Sequence, residues 1–404
     1  MPRSLQRSKK RLAPRPKPSA RRRVTVVTGT RAEYGLLQST MQAVRRHPRL
    51  TLQLVVSGMH LLRKFGRTID DIRRDGWPIA ATVPMQKGDD SPLDQTQALS
   101  RGVAGMARFF ERAKTNMVLV LGDRIEAMAG ALAAVTSGRF LAHVHGGDLA
   151  PGDFDDSFRH AITKLAHVHV PATRAAARRI VRMGEQWRRV HCVGAPGLDR
   201  LREILDELKA AKAPSASQGA NARRTALVVQ HPCGRSAEHE RRIMTIILHE
   251  VSKADLASTC IYPNSDRGHS GILQAIKSHA DLNAAFPPFR VERSIDRDAY
   301  LRLLAAADVI IGNSSSGIIE AATAGTPAVN VGHRQTGREC SGNSVIHADE
   351  TPASIRAAIR KALRKRPIMG AASVYGDGRT GRRIAEILAS VPLTDEFRHK
   401  LGAY

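Results

Sequence analysis

Residues Met117–Pro171 read MVLVLGDRIEAMAGALAAVTSGRFLAHVHGGDLAPGDFDDSFRHAITKLAHVHVP. The stretch opens with five apolar residues, Met117–Leu121, closed by Gly122, which is the profile of a strand buried on both faces. Gly-Asp-Arg follows, then a helical run, Ile125–Val135. A second strand, Phe140–His145, ends in His-Gly-Gly-Asp. Beyond a Gly/Pro-broken loop, Asp155-Asp156-Ser157 and Arg159-His160 sit at the start of another helix. Strands alternating with helices build a parallel α/β sheet, and such sheets hold ligands in the crevice beyond the carboxyl ends of the strands. Two consecutive strands therefore deliver Asp123, Arg124, His145, Asp148, Asp155, Asp156, Arg159 and His160 to that edge. Carboxylates, imidazoles and guanidiniums gathered there suit acid–base chemistry on an anionic substrate. A plainer reading makes Asp155 or Asp156 the N-cap of the helix containing Ala161–Leu165. A cap needs one polar residue, not eight, so the cluster reads as a site.

The flanking segments repeat the pattern. Val24–Thr28 is a β-branched strand running into Gly29-Thr30-Arg31-Ala32-Glu33-Tyr34-Gly35 and a helix carrying Leu36, Leu37, Met41 and Val44. That order turns backbone N–H groups and the positive helix end toward an anion, with Arg31 to add a charge-assisted contact. The turn is neither G-x-G-x-x-G nor a P-loop. Leu52–Val56, Ile79–Val83, Val168–Pro171 and Val190–Val193 read as further strands, giving six or seven in a doubly wound parallel sheet. Residues 95–115 show a helical core face, and the polar Gln86–Asp94 reads as a mobile loop.

A helix and a Pro/Ser/Gln/Gly linker, Ala213–Ala222, lead to a second α/β unit. Its strands are Thr225–Gln230, Ala257–Pro263, Phe289–Glu292, Asp308–Ile311 and Ala328–Val331. The first ends in His231-Pro232-Cys233-Gly234 and the second in Asn264-Ser265-Asp266-Arg267-Gly268. The fourth runs into Gly312-Asn313-Ser314-Ser315-Ser316-Gly317 and a helix over Ile318–Ala324. Small hydroxyls at a helix N-terminus suit phosphate oxygens, Glu320 could accept from ribose hydroxyls, and Arg334 marks a second anion-binding turn. The bland alternative is a capped turn. Helices near Pro352–Arg366 and Gly381–Leu388 close the chain. The organisation read from this pattern is a basic tail over 1–23, domains over 24–196 and 197–375, and C-terminal helices over 376–404 that cross back to the first domain.

Composition bounds the function. The chain has 404 residues, 42% hydrophobic, with a net charge of +26. Ten of the cationic residues lie in residues 1–23, which hold no acid and four prolines, the composition of a disordered tail. Aromatic content of 4% argues against base-stacking surfaces and hence against nucleic acid. No apolar run reaches the length of a membrane span. Cys192, Cys233, Cys260 and Cys340 are scattered, with no CxxC pair, which argues against zinc or a disulfide framework and fits a reducing compartment, the cytoplasm. Two α/β units with opposed strand-end loops make a cleft for a large anionic ligand. A sugar nucleotide fits it, with phosphates on one unit and sugar at the carboxylate cluster of the other.

In several stretches the chain resembles the hydrolysing UDP-N-acetylglucosamine 2-epimerases of sialic-acid-type pathways. These are TGTRAEYGLL (Thr28–Leu37), Ser57–His60, LGDRIE (Leu121–Glu126), HVHGGD (His143–Asp148), DDSFRHAITKLAHVH (Asp155–His169), Val193–Asp199, His231-Pro232, PNSDRG (Pro263–Gly268), GNSSSGIIE (Gly312–Glu320) and GTPAVNVGHRQTGRE (Gly325–Glu339). The resemblance implies two Rossmann-like domains facing a cleft, as in B-type glycosyltransferases. It also implies a homodimer and no metal or redox cofactor. The implied reaction cleaves a UDP-sugar through a 2-acetamidoglycal, with inversion at C2. Asp123, Asp155, Asp156 and His231 match catalytic positions of the family, and His145 falls where some relatives carry Glu. Arg31, Ser314, Ser315, Glu320 and Arg334 match nucleotide contacts. Arg124, Arg159, Asn264, Asp266, Asn313 and Gly317 lie in the same motifs and join the substrate-binding set. Other readings are a B-type glycosyltransferase, or an epimerase taking a GDP-sugar or a 2,4-diacetamido sugar.

Overall fold

The structure, a computed structural model, describes residues 21–63, 66–87, 92–149, 154–211, 223–264, 267–282, 287–293, 295–364 and 373–403. The first unit runs β1 (Arg22–Thr28), α1 (Arg31–Arg46), β2 (Leu50–Ser57), α2 (Ile69–Arg74), β3 (Ile79–Val83), α3 (Pro92–Arg112), β4 (Met117–Leu121), α4 (Ile125–Thr136), β5 (Phe140–Val144), α5 (Asp155–Leu165), β6 (Val168–Val170) and α6 (Arg174–Arg182). Helix α7 (Gly197–Ala210) leads to the second. That unit runs β7 (Thr225–Val229), α8 (Ala237–Lys253), β8 (Ala257–Ile261), α9 (His269–Asp281), β9 (Phe289–Glu292), α10 (Arg297–Ala306), β10 (Val309–Gly312), α11 (Ser315–Ile319), α12 (Ala321–Ala324), β11 (Ala328–Val331), β12 (Val345–Ala348) and α13 (Pro352–Ala362). Helices α14 (Thr380–Ser390) and α15 (Asp395–Arg398) follow.

Each unit holds one six-stranded sheet, ordered β3-β2-β1-β4-β5-β6 and β12-β11-β10-β7-β8-β9, and every strand pair is parallel. The two are doubly wound sheets of one design. Alternate residues of β4 explain why it reads as a continuous apolar run. Leu119 and Leu121 join a core with α1 and α14, whereas Val118 and Val120 face α3, α4 and α5. In the second unit α8, α9 and α13 cover one face, and α7 and α10 the other. Helix α14 returns to the first core, where Ile384 and Leu388 are fully buried beside Leu37 and Met41. Its start is fixed by Asp199 of α7, whose carboxylate accepts from the N–H groups of Thr380 (2.8 Å) and Gly381 (2.6 Å). No helix among the described residues is long and apolar enough to cross a membrane.

Sheet order also fixes where ligands sit. The strand order reverses between β1 and β4 in one sheet and between β7 and β10 in the other, and the crevice at such a switch point is the usual binding place. Arg31, Asp123, Arg124, His231 and Asn313–Ser315 all follow those four strands.

Several local expectations change. Val190–Val193 is not a strand: among the described residues its pairing is one bridge, His169 to Val190, and Gly194 at φ 101° turns the chain away. Neither Asp155 nor Asp156 is the N-cap of α5. Phe154 holds that position, and the two aspartates occupy the first helical turn, where their charge still suits the helix dipole. The run expected over Ile318–Ala324 is two short helices meeting at Glu320. Helix α13 ends at Ala362, short of Arg366. Of the polar loop Gln86–Asp94, residues 92–94 begin α3 and 88–91 lie outside the described residues, as do the whole linker, within 212–222, and the site candidate Asp266.

Candidate active site

In the first unit the site is assembled around Arg159 of α5. Its buried guanidinium forms an ion pair with Asp123, beyond β4, and donates through Nη1 to the His145 carbonyl, beyond β5, at 2.9 Å. One helix side chain thus ties together the two strand ends that carry the cluster. His145 has φ 61°, a left-handed conformation uncommon for a residue with a Cβ. Its Nδ1 lies 2.9 Å from Asp148 Oδ2. Burial alone would push the Asp148 carboxyl up, but the hydrogen bond with His145 and the charges of Arg338 and Arg159 hold it at about 2. His143, inside β5, is a scaffold residue: its Nε2 meets Gly122 O at 2.8 Å, its Nδ1 meets Thr163 Oγ1 at 3.2 Å, and burial lowers it to about 3. Asp156 meets His160 one turn on, at 3.4 Å, and Asp155 stands beside it at the helix start.

Arg124 and Arg31 flank this cluster. Arg124 Nε lies 3.4 Å from Glu126, and Arg31 Nη2 lies 3.9 Å from Asp71. Beneath them two carboxyls are buried. Glu126 fits under Gly29 and Gly58, where a Cβ at either position would come within 2.3 Å of its side chain. Glu33 accepts from Gly29 N–H at 2.9 Å, and burial, with Glu126 adding to it, raises its carboxyl to about 8.

The second unit supplies a different surface. Asn313, at the end of β10, bridges back to the end of β7. Its Oδ1 accepts from His231 N at 2.7 Å, and its Nδ2 donates to His231 O at 2.8 Å. His231 Nδ1 accepts from Asn264 N at 3.1 Å, so the neutral ring carries its proton on Nε2. Burial, helped by the charge of Arg334, lowers His231 to about 3 and keeps that ring neutral. Arg334 Nη1 donates to Asn313 O at 3.2 Å. Ser314 caps α11, its hydroxyl accepting from Ser316 N at 3.3 Å. Ser314 and Ser315 are half-buried, while Ser316 turns inward and donates to Glu320. Glu320 is buried and paired with Arg297 of α10. Gly317 is not sterically required: a Cβ there would meet Ala328 Cβ at 3.5 Å, an ordinary contact.

The two surfaces face each other. Arg338, beyond β11, donates through Nε to Leu149 O at 3.0 Å, next to Asp148, and Glu339 accepts from Ala175 N at 3.3 Å. Arg297 donates to Gly197 O at 3.2 Å and lies 3.3 Å from a Cβ built on Gly35 of α1. Sequence reasoning missed both Arg338 and Arg297. Arg338 lies four residues after Arg334 in a motif already singled out, so its signal was present. Arg297 opens a helix outside every motif.

A family description for UDP-N-acetylglucosamine 2-epimerase matches residues 42–389. The chain is 34% identical over 383 residues to the UDP-N,N'-diacetylbacillosamine 2-epimerase (hydrolyzing) of Legionella pneumophila, covering 95% of this chain and 100% of that protein. It is also 34% identical, over 343 residues, to the UDP-N-acetylglucosamine 2-epimerase of Neisseria meningitidis, covering 84% and 87%. Among solved structures, the UDP-GlcNAc 2-epimerase from Neisseria meningitidis bound to UDP-GlcNAc has the same fold. Its TM-score is 0.74 at 16% identity, covering 91% of this chain and 99% of that one. With the family description spanning residues 42–389 and 34% identity over 95% of the chain to a hydrolyzing 2-epimerase, the chain belongs to the UDP-N-acetylglucosamine 2-epimerase family and is an enzyme of that family.

Proposed function

We propose that this enzyme cleaves a UDP-activated 2-acetamido sugar and inverts it at C2, releasing UDP and N-acetylmannosamine or a close analogue. The observation that carries the reading is the opposition of two chemically different surfaces. One is the Asp123–Arg159–His145–Asp148 cluster, and the other is the set of His231, Asn313, Ser314, Ser315 and Arg334. The first suits proton transfer at the sugar, the second a diphosphate.

In this reading His145 takes the C2 proton. The C–H pair becomes the second C1–C2 bond, and the C1–O pair leaves with UDP. His231 donates its Nε2–H to the departing diphosphate, neutral throughout, and Arg334 and the Ser314–Ser315 hydroxyls hold the phosphates. Asp123, Asp155 and Asp156 are the carboxylates available to return a proton to C2 and to activate the water that adds at C1. Arg31, Arg124, Asn264, Asp266, Gly317 and Glu320 complete the nucleotide site. The reading extends to a cytoplasmic homodimer acting on a nucleotide sugar without metal or redox cofactor, with residues 24–196 and 197–375 as its domains. Four free cysteines support a reducing compartment.

Proton NMR in deuterated water tests it. UDP-N-acetylglucosamine should give UDP and free N-acetylmannosamine carrying deuterium at C2. The Legionella relative's name motivates a second arm with UDP-N,N'-diacetylbacillosamine, and turnover there alone assigns the sugar. Release of N-acetylglucosamine without deuterium, or no turnover of either sugar, refutes the proposal.

A further inference from the structure

His145 combines two features unfavourable to a residue kept for stability alone. Its backbone sits at φ 61°, and its Nε2 is buried with no hydrogen-bond partner among the described residues, which burial makes costly. The opposite ring corner is fully engaged, with Nδ1 2.9 Å from Asp148 Oδ2. His145 is 5% exposed and Asp148 7%. His143, two residues earlier, has both nitrogens bonded. His169 also meets a carboxylate, Glu185, at 3.0 Å and also has a buried unpartnered nitrogen, Nδ1, but it lies inside β6 with ordinary strand backbone rather than in the left-handed turn beyond a strand.

Three elements bring guanidiniums to the surroundings of Asp148, which Cys192 and Tyr375 also face. Arg159 comes from α5, with Nη1 on His145 O at 2.9 Å. Arg179 comes from α6 and donates to Gly147 O. Arg338 comes from the opposite unit, with Nε on Leu149 O at 3.0 Å. The carboxylate is therefore kept ionised and acceptor-only, and among the described residues its hydrogen-bond partner is the His145 ring.

We propose that Asp148 is a positioning residue for the reaction: by accepting from Nδ1–H it fixes the His145 tautomer whose Nε2 lone pair takes the C2 proton, and it faces the imidazolium that results. The inference rests on the epimerase reading above. In the step itself the C2–H bond breaks and its pair forms the second C1–C2 bond. The C1–O pair leaves with UDP, and the proton ends on Nε2. A carboxylate that orients a catalytic histidine is worth about 10⁴ in kcat in the serine-protease case.

The test is nitrogen NMR of histidine-labelled full-length protein, with His145→Gln to assign the signal. Wild type should carry the proton on Nδ1 and a bare Nε2 at neutral pH. In Asp148→Asn, whose carboxamide can donate to Nδ1, the proton should move wholly or partly to Nε2. In parallel, kcat for the UDP-sugar that wild type turns over should fall about 10²- to 10⁴-fold, while KM and UDP affinity stay within about threefold. A wild-type ring protonated on Nε2 overturns the proposal. So does an Asp148→Asn ring or kcat like that of wild type, or a variant that loses UDP affinity in step with kcat. If Asp148→Asn does not fold, the wild-type tautomer and Asp148→Glu decide. Wild type that turns over no UDP-sugar sinks the epimerase reading, while the tautomer experiment still decides what Asp148 does.

Discussion

Replacing Glu33 by Gln should stabilise the folded chain, and by more at pH 8 than at pH 5. Glu33 lies in the first turn of α1, 5% exposed, with Oε2 accepting from Gly29 N–H. Burial raises its carboxyl from an ordinary 4.5 to about 8. The unfolded chain thus releases the proton near 4.5, and the folded chain keeps it until about 8. Between those values the unfolded state binds fewer protons, so stability falls as pH rises, by up to about 1.4 kcal/mol per unit. Below 4.5 the contribution is fully present; above about 8 it is gone and the curve is flat. At pH 7 the wild-type deficit approaches ~3 kcal/mol, an upper bound from the same slope. Gln keeps the shape and the acceptor for Gly29 and has no proton to lose. Urea unfolding of both proteins at pH 5, 6, 7 and 8 measures the difference. The other titrating groups are common to both proteins, and apart from Glu126 and Arg124, whose charges act on Glu33, their contributions cancel. The two tryptophans, Trp77 and Trp187, both lie in the first unit, so intrinsic fluorescence reports the unit that contains Glu33. A stability gap that does not widen with pH would show that Glu33 is ionised in the fold and refute the argument.

Asp123→Asn should lower kcat at least about 10³-fold and leave UDP affinity, read by calorimetry, within about twofold; equal loss of both would remove Asp123 from the chemistry. Arg334→Ala should weaken UDP binding about 10- to 100-fold, the scale of one charge-assisted hydrogen bond; unchanged affinity would move the nucleotide elsewhere. Asp199→Ala removes the acceptor for the N–H groups of Thr380 and Gly381 and should cost about 2 kcal/mol. Thermal unfolding reads it, and an unshifted midpoint would mean that α14 is held by packing alone.

The parallel strands were legible because both faces of each sheet are covered, which forces runs such as MVLVL and VTVVT and leaves glycine to end them. Where that condition lapses the reading fails. Strand β12 escaped notice because Val345, Ile346 and His347 lie at an edge and stay partly exposed. Val190–Val193 has strand composition, but Cys192 is exposed and, among the described residues, the segment's pairing is one bridge at Val190.

The site divides along the same physical line. Residues that follow the switch-point strands announce themselves, since a polar run after an apolar strand has few other uses. What completes them does not. Glu320 could be read as a ribose acceptor from its motif, yet its buried carboxylate is already bonded to Arg297 and Ser316. Any hydroxyl that reaches it must share or displace those donors. Arg297 also donates to Gly197 O and lies where a Cβ on Gly35 of α1 would come within 3.3 Å of it, so a ligand competing for Glu320 would meet a side chain placed between the two units. Arg338 reaches Leu149 across a sequence separation of 189 residues. Arg338 lies in a motif already singled out and Leu149 just past another, but only the juxtaposition of two separately legible sheets makes them neighbours. In the proposed reading, Arg338 and Arg297 are the side chains that join the nucleotide surface to the unit carrying the proton-transfer cluster, so nucleotide binding there should be felt at the cluster.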